Sequence, residues 1–106
     1  MDSLKGFQKR YLRGLAHSLK PVVFVGQKGF TQSLVDAIDD ALGHHELVKV
    51  KFVEFKEKEK KLTLVEQIGN SVPCEMVGLV GHIATFFRQQ SDPEKRKINL
   101  PKHADG

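Results

Sequence analysis

Apolar positions along the chain change period several times, and each change marks an element. From Ser3 to Leu19, the residues Leu4, Phe7, Tyr11, Leu12, Leu15 and Leu19 recur at i, i+3/i+4 spacing, which predicts an amphipathic helix. Val22–Val25 is a β-branched strand run that stops at Gly26-Gln27-Lys28-Gly29. Thr31 then suits the N-cap of a second helix reaching Leu42, with Phe30 and Val35 as its hydrophobic staple and Gly43 as its C′ residue. Leu34, Val35, Ile38, Ala41 and Leu42 form its apolar stripe, and Asp36, Asp39 and Asp40 face water. Between Leu47 and Phe55 the period shortens to two. Val48, Val50 and Phe52 share one face and Lys49 and Lys51 the other, the signature of a sheet covered on one side. The charged run Lys56–Lys61 reads as a solvated loop or the first turn of a third helix. Leu62, Leu64, Val65 and Ile68 line that helix, and Gly69, Asn70 and Pro73 end it. Two strands, Cys74–Val80 and Ile83–Arg88, join through a tight turn at Gly81-His82. Ile98–Pro101 is expected to dock as an extended piece, and residues 102–106 to fray.

Helix, strand, helix, strand, helix, strand, strand is the order of an α/β sandwich of two or three layers, with a four-stranded mixed sheet and three helices. A chain of 106 residues holds one domain, here 1–101. In this arrangement Tyr11, Phe24, Phe52 and Phe86 are core residues, so no aromatic set remains to stack on bases. Gly14 marks close packing of the first helix.

Charge sharpens the picture. Net charge is +4, and its distribution is uneven: six Lys/Arg stand against one acid from Met1 to Phe30, and four acids against none from Thr31 to Leu47. At 100° per residue Lys9, Arg10, Arg13, His17 and Lys20 fall within an arc of roughly 100° with no acid among them. Solvated faces usually mix signs, so a face of one sign points to a polyanionic partner. The glycine loop adds to this. Gly26 and Gly29 let a partner's backbone approach, Lys28 supplies a charge, and the helix behind offers free N–H groups. G-x-x-G loops of this kind clamp nucleotides in KH domains.

Other chemistry is thinly represented. A P-loop is excluded because G-x-x-x-x-G-K-[ST] is absent. His44-His45-Glu46 lacks further ligands at metal spacing, and adjacent strand histidines point to opposite faces. His17 reads as a packing and capping residue. The lone Cys74 permits no internal disulfide and fits a reducing cytoplasm as a small buried thiol. No segment resembles a membrane span or a signal peptide. The reading is of a soluble cytoplasmic protein that is no enzyme and needs neither cofactor nor metal.

Three stretches at their mutual separations carry a family resemblance: Leu12-Arg13-Gly14-Leu15-Ala16-His17-Ser18-Leu19-Lys20-Pro21, Gly26-Gln27-Lys28-Gly29-Phe30-Thr31, and His45-Glu46-Leu47-Val48-Lys49-Val50-Lys51. From about Leu4 to Pro101 the chain resembles the CRM (chloroplast RNA splicing and ribosome maturation) domain in its bacterial stand-alone YhbY-like form. The resemblance implies a fold similar to the C-terminal domain of translation initiation factor three. It also implies association of a monomer with ribosomal RNA of the large-subunit precursor. The family's RNA-contacting loop falls on Gly26, Gln27, Lys28 and Gly29, and its basic helix face on Lys9, Arg10, Arg13 and Lys20. Gly81-His82-Ile83-Ala84-Thr85-Phe86-Phe87-Arg88 is similar to a family stretch ending Leu-Tyr-Arg, with Phe86 and Phe87 replacing Leu and Tyr. With few free aromatics, such a surface is expected to read folded RNA by shape. The alternative is a translation-factor-like module whose basic helix meets an acidic protein, and the Asp36/Asp39/Asp40 face is either solvated or a protein-facing patch.

Overall fold

Hydrogen-bond closure of the first crossover sets the architecture. A computed structural model describes residues 3–104. Its elements are α1 (Gly6–Ala16), β1 (Val23–Val25), α2 (Gln32–His45), β2 (Leu47–Phe52), α3 (Lys58–Ser71), β3 (Glu75–Val80) and β4 (Ile83–Phe87), followed by a 3-10 turn at Pro93–Lys95. The unit β1–α2–β2 is a parallel crossover with Val23, Phe24 and Val25 registered on Val50, Lys51 and Phe52. β4 pairs antiparallel with both β2 and β3, giving the order β1-β2-β4-β3 in one mixed sheet. The expected frayed tail lies partly outside the described residues.

Two cores sit on the two faces, which makes three layers. On one face α2 and α3 bring Leu34, Ile38, Leu42, Leu64 and Ile68 against Val25, Val50, Phe52, Ala84 and Phe86. On the other, α1 sets Leu12 and Ala16 on Leu47, Val77 and Phe87. The sheet is therefore not bare on its lysine face, as alternation in β2 suggests. It is covered over one half. Ile98 and Leu100 complete that smaller core, as the expected docked segment should.

Because α1 rests on only half a sheet, its buried strip is narrow. Tyr11, Leu15 and Leu19 of the predicted stripe are exposed, and the small Ala16, outside that stripe, is buried instead. Gly14 does not mark close packing, since an added Cβ would meet nothing within 4 Å. The close approach is at Gly78, where a Cβ would lie 2.9 Å from Cδ of Arg13. Phe24 is not a core residue either. Strand alternation sends it to the uncovered half of the face, where it is 56% exposed.

Helix α2 runs through Gly43 to His45 and is closed by Glu46 in the left-handed region, φ 62°. That conformation costs a non-glycine residue about 1–2 kcal/mol, and the side chain offsets it. Glu46 is fully buried, and its carboxylate accepts the backbone N–H of Gln90 (2.7 Å), Lys97 (2.7 Å) and Ile98 (2.9 Å). Its carbonyl accepts Arg88 N–H at 2.9 Å. One residue thus ties the end of α2 to the chain leaving β4.

Two predictions follow from this packing. Glu46→Ala strands three backbone donors, so stability measured by urea denaturation should fall by about 2–5 kcal/mol, with the amides of Lys97 and Ile98 losing hydrogen-exchange protection first. Burial pushes the Cys74 thiol up to about 11, against a smaller opposing effect of Arg88. Thiolate at pH 8 is then about one in a thousand. Cys74 is partly buried, so it should react with a thiol-specific disulfide reagent far more slowly in the native protein than after unfolding, and equal rates would contradict the raised pKa.

Candidate nucleic-acid interface

Four residues close the glycine loop. Gly29 N–H donates to Gly26 carbonyl at 3.0 Å, and Gly29 adopts φ 65°. A Cβ there would come 3.1 Å from the ring of Phe55, so Gly29 is required both by backbone conformation and by packing. Gly26 differs: nothing lies within 4 Å of its Cβ position. Gln27 and Lys28 are exposed at the tip. Thr31 Oγ1 accepts Leu34 N–H at 3.1 Å, confirming the cap. The first-turn donors of Gln32 and Ser33, which no helix can satisfy internally, stay at the surface behind the loop. Phe30 and Val35 both pack on the larger core, as a staple requires.

Alongside β1 runs an open groove of about 580 Å³, bounded by the Gly26–Gly29 loop, Phe24, Thr31, Ser33 and Ala37. Its location follows from β1 being an edge strand, so one side of it meets α2 and solvent instead of another strand.

The basic residues of α1 do not form one free stripe. Lys9 Nζ pairs with Glu75 of β3 at 3.2 Å, and Arg13 Nη1 donates to Val77 carbonyl at 2.9 Å. The arc that lacks acids along α1 meets one from the sheet beneath it. Arg10 and Lys20 remain exposed. α1 packs on β2, β3 and β4, away from the edge strand that carries the glycine loop.

A cationic cluster the linear sequence conceals lies at the loop's end of the sheet. Lys51 is the register partner of Phe24. Phe52 N–H donates to His82 carbonyl at 2.7 Å, placing the β3–β4 turn beside the end of β2. Lys61 Nζ reaches Gly81 carbonyl and lies 3.3 Å from His82 Nδ1. His82 is held below its ordinary 6.5 first by desolvation, then by the charges of Lys61, Lys56 and Lys51. Lysines from β2, the following loop and α3 thus converge on one histidine. Sequence spacing of 5 to 31 residues hides this, and only the register of β2 against β4 could have revealed it.

The acidic side chains of α2 are partly engaged. Arg88 Nη1 meets Asp39 Oδ1 at 2.6 Å and Nη2 meets its carbonyl at 2.9 Å. Gln32 donates to Asp36 at 2.8 Å. Arg88 therefore ties β4 to α2.

This layered α/β domain, with an exposed glycine loop ahead of a capped helix, has clear relatives. The model of the CRS1/YhbY (CRM) domain matches residues 4–88, and the chain belongs to that family. It is 39% identical over 102 residues to an RNA-binding protein of Haemophilus influenzae, covering 96% of this chain and 99% of the other. A Bacillus subtilis relative is 31% identical over 98 residues, 92% of this chain and 99% of its own. The solution structure of a Staphylococcus aureus protein proposed to bind RNA superposes with a TM-score of 0.79 at 32% identity. That match covers 93% of this chain and all of the other.

The histidine offers a direct check. In an NMR titration His82 should titrate below 6.5, and Lys51→Gln or Lys56→Gln should each move it upward. The folded state resists a proton that the unfolded chain accepts near 6.5. This residue therefore adds stability above that pH, and the contribution is lost as pH falls toward its folded value.

Proposed function

We propose that the chain binds RNA, through the Gly26–Gly29 loop and the lysines beside it, and acts on ribosomal RNA of the large-subunit precursor in the cytoplasm. The observation that carries this reading is the meeting of three phosphate-seeking features at one end of the sheet. These are an unobstructed Gly26 with Lys28 exposed at the loop tip, the first-turn donors of α2, and the lysines Lys51, Lys56 and Lys61 around His82. The RNA-binding name of the Haemophilus influenzae relative supports the polymer class. Lys9 and Arg13 are assigned to holding α1 on the sheet, with Arg10 and Lys20 as outlying phosphate contacts. Neither the loop nor the cluster presents a nucleophile–base pair, and the reading is of binding without turnover. Among the described residues no helix is long and apolar enough to cross a membrane.

A second reading has one observation in its favour. An apolar groove between α1 and β2, lined by Leu15, Leu19, Val22, Leu47 and Ile98 with Lys20 and Lys49 at its rim, suits a protein side chain better than a phosphate. Salt separates the two readings, because each phosphate neutralised steepens the fall of log affinity with log salt by about 0.7–0.9.

Gly26→Asp should weaken binding to ribosomal RNA fragments at least tenfold without changing Tm. Gly29→Ala should instead cost about 1–2 kcal/mol of stability through its left-handed backbone. Lys28→Ala with Lys51→Ala should flatten the salt slope by roughly 1.4–1.8, whereas Arg13→Ala should alter stability more than affinity. Filter binding across a salt series with thermal denaturation of each variant checks all four. Sedimentation of the tagged protein with large-subunit precursors tests the ribosomal assignment, and co-migration with the small subunit alone would refute it.

A further inference from the structure

Phe24 is the largest exposed aromatic side chain outside the α1 layer, and the β1 register shows why its position matters. Across the uncovered half of the sheet, Phe24 of β1 pairs with Lys51 of β2, Lys51 with Ile83 of β4, and Ile83 with Val80 of β3. Phe24 is 56% exposed and Val80 77%, so this row is an open apolar strip with a lysine in it. The next row adds Lys49, held by its Nζ to Leu19 carbonyl at 3.0 Å. No strand position in these two rows is acidic. The acid on this face, Glu75, lies at the opposite end beneath α1, where Lys9 neutralises it. Phe24 also lines the groove bounded by the Gly26–Gly29 loop, which begins two residues further along the chain, just past the end of β1.

A large apolar side chain left at the surface gains nothing for the fold, and such a patch usually marks a contact. With lysines and no acid in its two strand rows, and with Glu54 entering only past the end of β1 where its N–H donates to Val25 carbonyl at 3.3 Å, it fits a partner that is flat and apolar on one part and anionic on another. A nucleotide in a single strand has that composition. An aromatic platform with a cationic track is how single-stranded nucleic acid is held without sequence readout.

We propose that the ring of Phe24 is a stacking platform for an unpaired base, with the adjoining phosphates lying along Lys51 and the glycine loop. The proposal rests on the RNA reading above and deepens it. It also adds a base contact to the expectation of recognition largely by shape, which counted Phe24 among the core residues. Within a helical RNA the base faces are already stacked on one another and do not reach the ring. The preferred target is therefore a loop, bulge or end.

The chain has no tryptophan, so Phe24→Trp introduces a unique fluorophore at the site. Titrating this variant with a single-stranded RNA 12-mer should quench its emission, and a 12-base-pair RNA duplex at equal salt should not. In parallel, Phe24→Leu keeps an apolar side chain but removes the ring, and should weaken single-strand binding roughly 5- to 100-fold. Phe24→Tyr should restore it. If Phe24→Leu binds the single strand as tightly as the parent while Gly26→Asp does not, the stacking proposal fails and the loop reading stands. If neither RNA binds the parent protein, both fail together. Emission unaffected by RNA but shifted to the blue by raising protein concentration would assign the strip to a second copy of the chain and overturn the proposal.

Discussion

The buried carboxylate of Glu46 holds together parts of the chain that sequence separates by half its length. It accepts three backbone N–H groups from the segment after β4, while its own backbone turns the chain out of α2 through a left-handed conformation. This places Ile98 and Leu100 against Leu12, Leu47 and Phe87, and Gln8 of α1 bonds to Pro101 carbonyl at 3.2 Å. The smaller core is thus closed from both ends of the chain. A buried polar group of this kind is stabilising only because every partner is present.

Closing that core over one half of the sheet leaves the other half open, and the candidate interface occupies the opening. α1 is held over β2 and β3 by Arg13 on Val77 carbonyl and Lys9 on Glu75. The edge strand β1, with Phe24 and the glycine loop, stays clear of it. Charge follows the same division. Lys9 and Arg13 over the closed half are engaged in holding the layers, whereas Lys28, Lys51 and Lys56 lie exposed around the open end. Desolvation, and after it the charges of Lys61, Lys56 and Lys51, hold the pKa of His82 below its ordinary value. An arrangement that disfavours a further positive charge equally favours an approaching phosphate.

Local chemistry explains why much of the fold was legible in advance. The Thr31 cap, the Phe30–Val35 staple, the period-two alternation in β2 and the docking of Ile98–Pro101 each depend on residues within a few positions of one another. Helix ends were less legible. Gly43 has the residue type of a terminator, yet α2 passes through it because burial of Glu46 outweighs the preference for glycine at the end. The six-residue stripe of α1 assumed a broad surface to bury against, and half a sheet offers only a narrow one.

Periodicity, capping residues and the Gly-x-x-Gly turn are short-range constraints, so the sequence alone determined the elements, their order and the loop at the end of β1. Which half of the sheet α1 covers depends on contacts between residues 30 to 90 positions apart, and no local pattern encodes them. Tertiary structure therefore decided that Lys9 and Arg13 turn toward the sheet and that Phe24 faces solvent. It also decided that Lys51, Lys56 and Lys61 gather around His82. A side chain's chemistry is local, but its exposure depends on what the rest of the chain places over it.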